Sequence, residues 1–240
     1  GKKSPLNERL EAASRYSESP SSEQKDKTSF YLYAFQKGKN AMYPERKKAE
    51  AELKLAGQMN PGPWEEHSRH VAEAAQYIAG ACGELEQEKA YVCGLLHDIG
   101  RRNGISAMRH AVDGYDYLMS KGWDEPARIC LTHSFPIRDV DTDIGRKDIT
   151  PEQYAFLRDY LAGTEYDDYD RLIILCDSLA MAEGFCILEK RLVDTTRRYG
   201  AFPFTVERWN HIFEIKAYFE KKIGRSIYEL LPGIEQCIYQ

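Results

Sequence analysis

The stretch GELEQEKAYVCGLLHDIG, residues 83–100, constrains the fold more than any other. Ala90, Cys93, Gly94 and His97 recur at i, i+3, i+4 and i+7, which is one stripe of an α-helix. Small residues in that stripe let a second helix approach closely. The stripe ends on a histidine and the next residue is Asp98, so two titratable groups enter an apolar interior together. An ionised carboxylate taken out of water without a partner costs several kcal/mol. The rest of the chain must therefore supply partners.

The same arrangement recurs elsewhere. His67 lies one turn before Val71 and Ala74, His110 is followed on its own face by Ala111 and Gly114, and His133 is preceded by Ile129 and Cys130. Asp177, in RLIILCDSLAMAEG, has Ile173, Ile174, Ala180 and Met181 at helical neighbour spacings. One such histidine is an ordinary hydrogen-bonded core residue; four of them with two buried carboxylates are better satisfied by a metal ion. Imidazole and carboxylate without thiolate suit iron, manganese, nickel, zinc or magnesium. Helical bundles build such sites from ligands on facing helices.

Helical spacing continues along most of the chain, with no convincing strand alternation and no repeats, which predicts an all-α bundle. Pro44 opens a helix that NPGP at 60–63 ends. Further helices are expected over 64–81, 106–121, 124–134, 151–162, 168–182, 186–199 and 205–223. Residues 1–41 differ. Their Ser/Lys/Glu-rich first part, with a short helix expected to carry Leu6, Leu10 and Ala13, leads into the aromatic run SFYLYAFQKGKN. They read as a polar N-terminal extension or a leader ahead of Met42, leaving residues 42–240 as one globular domain.

At 240 residues the chain is long enough for one sizeable core. No apolar run reaches the roughly 20 residues that span a bilayer, and no short apolar segment follows a basic start. The six cysteines form no CxxC pair, and mostly sit in apolar helical patterns as small buried hydrophobes. A cytoplasmic protein is expected. The net charge of −5 argues against a general nucleic-acid binder.

The chain resembles the HD-domain superfamily of metal-dependent phosphohydrolases, and within it the small HDIG-type hydrolases. HSRHVAEAA carries His67 with Ser68, Val71 and Ala72; GLLHDIG supplies the His97 and Asp98 doublet; LCDSLA supplies Asp177. RHAVDGYDYL and ICLTHSF look like the two extra histidine motifs of members that bind two metals, at His110 and His133. The resemblance implies that His67, His97, Asp98 and Asp177 hold one divalent metal, with Asp98 bridging to a second held by His110 and His133. It implies a metal-activated water attacking phosphorus, and hence a small phosphorylated substrate, a nucleotide among the candidates. Arg101 stands where cyclic-dinucleotide phosphodiesterases of the superfamily carry lysine, and no GYP motif is present, which argues against that substrate.

Arg101 is expected to meet a substrate phosphate bidentately as Gly100 turns the chain out of its helix, with Arg102 a weaker candidate or a helix-end cation. His70 reads as a packing or pocket-wall residue and His211 as structural. Asp167, Asp168 and Asp170 read as helix-capping residues, one of them a possible support for a ligand. Tyr115, Tyr117, Tyr166 and Tyr169 fit core packing as well as a nucleobase wall, and Glu183, Lys190 and Arg191 are weak candidates for the site mouth. Two other functions remain open at this stage: a diiron oxygenase of the same superfamily cleaving C–C or C–P bonds, and a nucleotide-sensing module without catalysis.

Overall fold

The computed structural model describes residues 43–239, which contain nine α-helices, four short 3-10 turns and one two-stranded hairpin. The chain is all-α in class. The short helix expected around Leu6, Leu10 and Ala13, and the aromatic run after it, lie outside the described residues.

Helix α1 (Arg46–Met59) leads through the NPGP break into α2 (Trp64–Cys82). Glu65 and Glu66 stand in the first turn of α2, where they favour the positive end of the helix dipole, and Gly83 at φ 71° closes its C-terminus in the left-handed conformation. The apolar face of α2 (Val71, Ala74, Ala75, Ile78) is fully buried. It packs against α3 (Gln87–Leu96), whose Gly94 comes so near that an added Cβ would lie 2.8 Å from the α-carbon of Ala72. This is the close approach that the small-residue stripe predicts.

Helix α3 stops at Leu96, and a 3-10 turn, Ile99–Asn103, follows the His97–Asp98 doublet. Next come α4 (Arg109–Ser120), α5 (Asp124–Thr132), α6 (Pro151–Gly163), α7 (Asp168–Asp177), α8 (Leu188–Tyr199) and α9 (Thr205–Ile223). Helix α6 opens with a capping box of Thr150 and Gln153 and Pro151 in its first turn. The sequence places α4 too early at 106, because its N-terminus is set from a distance: the Asp148 carboxylate accepts the backbone N–H groups of Ala107 at 2.8 Å and Arg109 at 2.9 Å.

The helix expected over 168–182 ends instead at Asp177. The N–H of Ser178 turns back to the carbonyl of Leu175, and Ala180–Met181 pairs antiparallel with Gly184–Phe185. Gly184 at φ 142° permits the hairpin. A two-residue strand cannot be told from a last helical turn by periodicity, so Ala180 and Met181 look helical in sequence.

The core runs from Val71 and Ile78 of α2 across Leu172, Ile173 and Ile174 of α7 to Ile212 and Phe219 of α9. The site lies at the edge of this core, where the ends of α3, α5 and α7 face α2 and the start of α4.

Candidate metal centre

Five segments contribute: α2 gives His67, the end of α3 gives His97 and Asp98, α4 gives His110, the end of α5 gives His133, and the last residue of α7 gives Asp177. All six side chains share one cradle. His67 Nε2 lies 2.9 Å from Asp177 Oδ1, which is 3.8 Å from His97 Nε2. On the other flank, Asp98 Oδ1 lies 3.1 Å from His110 Nε2 and 3.6 Å from His133 Nε2, while its Oδ2 is 3.8 Å from His97 Nε2. The ligand atoms of His67, His97 and Asp177, and those of His97, Asp98 and His133, fall within 4.8 Å of one another in two groups that share His97.

Three of these imidazoles are tied by their other nitrogen. His97 Nδ1 meets the carbonyl of Gly94 at 2.7 Å, His133 Nδ1 that of Ile129 at 3.1 Å, and His110 Nδ1 that of Ala107. A carbonyl can only accept, so each Nδ1 carries the proton and each Nε2 presents a lone pair to the cradle. This is the orienting arrangement that metal-ligating histidines require. His97 Nε2 and Asp98 Oδ1 are buried without a geometrically sound hydrogen bond, and such orphaned groups are costly unless something else satisfies them.

The protonation states agree. Burial lowers the pKa of His97 and pushes that of His133 down to about 3, so both stay neutral at ordinary pH. Burial alone would raise Asp98, but the Arg101 guanidinium beside it holds it well below the usual carboxylate range. Burial likewise opposes the charge of Asp177, and the hydrogen bond from His67 outweighs it. Neutral imidazoles and ionised carboxylates are the states in which these groups bind a cation. The residues present therefore fit a divalent metal.

Arg101 sits on the cradle rim, its Nε 2.5 Å from Asp98 Oδ2, and its carbonyl accepts the Asn60 amide at 2.6 Å. Arg102 turns the other way: its guanidinium stacks 3.7 Å above the Tyr117 ring and reaches Met59 Sδ. Gly100 does not act through a special turn conformation, since its φ is not positive. It acts by lacking a side chain, because a Cβ there would collide with the backbone of His110 and Gly114.

His70 Nδ1 bonds the carbonyl of Met181 at 2.9 Å and so props the hairpin that follows Asp177. His211 stands at the surface 3.6 Å from Glu214. Asp167 caps α7, while Asp168 pairs with Lys222 and Arg171. Asp170 does more than cap. It is fully buried, binds the Arg128 guanidinium with both oxygens, and accepts the Thr132 hydroxyl at 2.8 Å. It thereby locks α7 to the residue preceding His133, a role the sequence does not reveal because Arg128 and Thr132 are distant in the chain. Tyr115 packs with Phe156 and Tyr160; Tyr166 donates to the Phe135 carbonyl; Tyr169 accepts from the Glu86 N–H. Lys190 reaches the Cys237 carbonyl and Arg191 faces Asp194, while Glu183 borders a cleft with His70 and Tyr77.

A family model described as HD domain matches residues 64–182, a span that contains all six ligand candidates. No curated protein and no solved structure matches the chain.

Proposed function

The chain belongs to the HD-domain superfamily through residues 64–182, and from that premise we propose that it is a phosphohydrolase acting on a small phosphomonoester or phosphodiester, with nucleotides among the substrates to test first. Residues 42–240 form the catalytic unit in this reading. The observation that carries it is the cradle itself: buried imidazoles fixed as Nε2 donors around two carboxylates, one of which turns its two oxygens toward different histidines.

His67, His97 and Asp177 would hold one divalent cation; Asp98, His110 and His133 would hold a second, with Asp98 shared. Bound there, such cations supply a water acidified toward neutrality and positive charge for the phosphate oxygens. The chain's own residues orient and exclude. The backbone carbonyls of Gly94, Ala107 and Ile129 keep the imidazoles aimed inward. Arg101, tied to Asp98, steadies the shared carboxylate and sets a positive charge on the cradle rim. The apolar wall behind Leu95, Leu96 and Ile99 keeps bulk water from the ligands. Among the described residues no helix is long and apolar enough to cross a membrane. The free cysteines are in keeping with a reducing, cytoplasmic setting.

The test is metal analysis of anaerobically purified protein, followed by a screen of phosphate esters with manganese, nickel, cobalt or iron added. Phosphate release that an Asp98→Ala variant abolishes supports the reading. If no ester is hydrolysed while the iron form consumes oxygen with a diol or phosphonate, an oxygenase takes its place. If nucleotides raise the melting temperature without turnover, the chain is a sensor.

A further inference from the structure

Helix α9 carries an arginine one turn ahead of the residues that bury its apolar face. Arg208 lies one turn ahead of Ile212, which is 2% exposed, and that face continues to the fully buried Phe219. The face packs against α7, which ends in Asp177, and against α2, which carries His67. Arg208 is thus directed from the first turn of α9 toward the cradle side of the core rather than into open solvent.

Its contact partner sharpens the position. Arg208 Nη1 reaches the carbonyl of Thr142 at 3.4 Å. Thr142 lies in the segment that begins at ligand His133 and returns to α4, where Asp148 and the Arg146 carbonyl hold the backbone just ahead of ligand His110. Arg208 therefore bridges between the segment joining two ligands and the helix packed on the other two. Burial opposes the charge of Arg208 and lowers its pKa from the usual guanidinium value, while Asp143 and, more weakly, Asp177 act the other way.

Arg208 differs from Arg101 in one respect that matters. Arg101 is committed to Asp98, with 2.5 Å between them. Among the described residues no carboxylate forms an ion pair with Arg208. A guanidinium keeps its charge and offers five N–H donors in a planar fork suited to an oxyanion. One long bond to a carbonyl leaves most of that capacity for a ligand. We propose that Arg208 binds the phosphoryl group of the substrate from α9, opposite the ligand cradle, as the principal anion-recognising side chain. This rests on the phosphohydrolase reading for the identity of the anion.

The experiment titrates inorganic phosphate into the manganese-loaded protein by calorimetry, for the parent chain and for Arg208→Gln, Arg208→Ala and Arg208→Lys, with metal content and melting temperature measured on each. The glutamine variant keeps most of the stem that packs along α9 and guards against a folding failure in the alanine variant. Loss of a charge-assisted contact should weaken phosphate binding about ten-fold or more, raise KM for the best ester more than it lowers kcat, and leave metal content unchanged, with lysine restoring only part of the affinity. Folded, metal-loaded glutamine and alanine variants whose phosphate affinity and KM stay within about two-fold of the parent overturn the inference. If phosphate binding depends on Arg208 but no ester is hydrolysed, the anion site stands and the hydrolase reading falls. If esters are hydrolysed with Arg208 immaterial, the reverse holds.

Discussion

Gly100 and the carbonyl of His110 are in backbone contact: a Cβ built on Gly100 would fall 2.0 Å from that oxygen and 2.5 Å from the amide nitrogen of Gly114. The 3-10 turn after Asp98 is thereby pressed against α4, and this sets the 3.1 Å approach of Asp98 to His110.

Gly100→Ala is expected to force these two segments apart, because the colliding atoms are backbone and cannot rotate away. Overpacking costs about 1–3 kcal/mol where side chains can adjust, and backbone collision belongs at or above the top of that range. Urea unfolding of the metal-free protein measures the loss, and metal analysis should show the His110 flank depleted first. A variant with parent stability and full metal content would contradict this account.

Asp170→Ala should be among the most damaging substitutions outside the ligand set. It strands the Arg128 guanidinium, frees the Thr132 hydroxyl and removes half of a capping box. Breaking a buried pair by deleting one partner costs about 3–5 kcal/mol. Asp170→Asn, which keeps the shape and some hydrogen bonds, should lose less. Chemical denaturation of both variants tests the order, and equal losses would show that the charge is immaterial.

Stability of the metal-free protein should fall as pH drops from 6.5 to 5. Burial holds His133 down to about 3 and lowers His97, while both titrate near 6.5 when unfolded. Across that window the unfolded chain takes up protons that the folded chain refuses, so acid favours unfolding. The contribution of His133 is on the order of 1–2 kcal/mol over this span. Asp98 and Asp177, whose folded pKa values are depressed, add to the loss only below their unfolded value of 3.8. Urea midpoints measured at several pH values should follow this slope, and His133→Asn should flatten it; a pH-independent midpoint in the parent would refute it.

Chelation should lower the melting temperature, and readdition of manganese should restore it. A ligand at a hundred times its Kd stabilises by about 2.7 kcal/mol. His67→Ala and His110→Ala should each lose part of the bound metal, whereas Asp98→Ala should lose both ions and all turnover. An Asp98→Ala protein that kept its metal would remove the basis for a shared carboxylate.

The ligand candidates were legible because burying a titratable group on an apolar helical stripe leaves a periodic trace, as at Ala90, Cys93, Gly94 and His97. Helix α9 was legible for the same reason, its bounds at Thr205 and Ile223 matching the amphipathic run. What escaped the sequence depends on residues far apart. Asp170 looked like one of three interchangeable caps until Arg128 and Thr132 closed on it. Arg102 shared a helix-end pattern with Arg101, but the Tyr117 ring draws it away. Arg208 left a faint trace, an arginine one turn before Ile212, whose meaning emerges only when α9 is packed beside Asp177.

His67 and Asp177, whose side chains touch, stand 110 positions apart along the chain. A ribosome adding about 5–20 residues per second needs roughly 5–20 s to travel between them. Throughout that interval the earlier histidines have no carboxylate from α7 to close around an ion. The ion held by His67, His97 and Asp177 can therefore be enclosed only once α7 has been made, and a nascent chain that stops before Asp177 lacks the carboxylate that closes that half of the cradle.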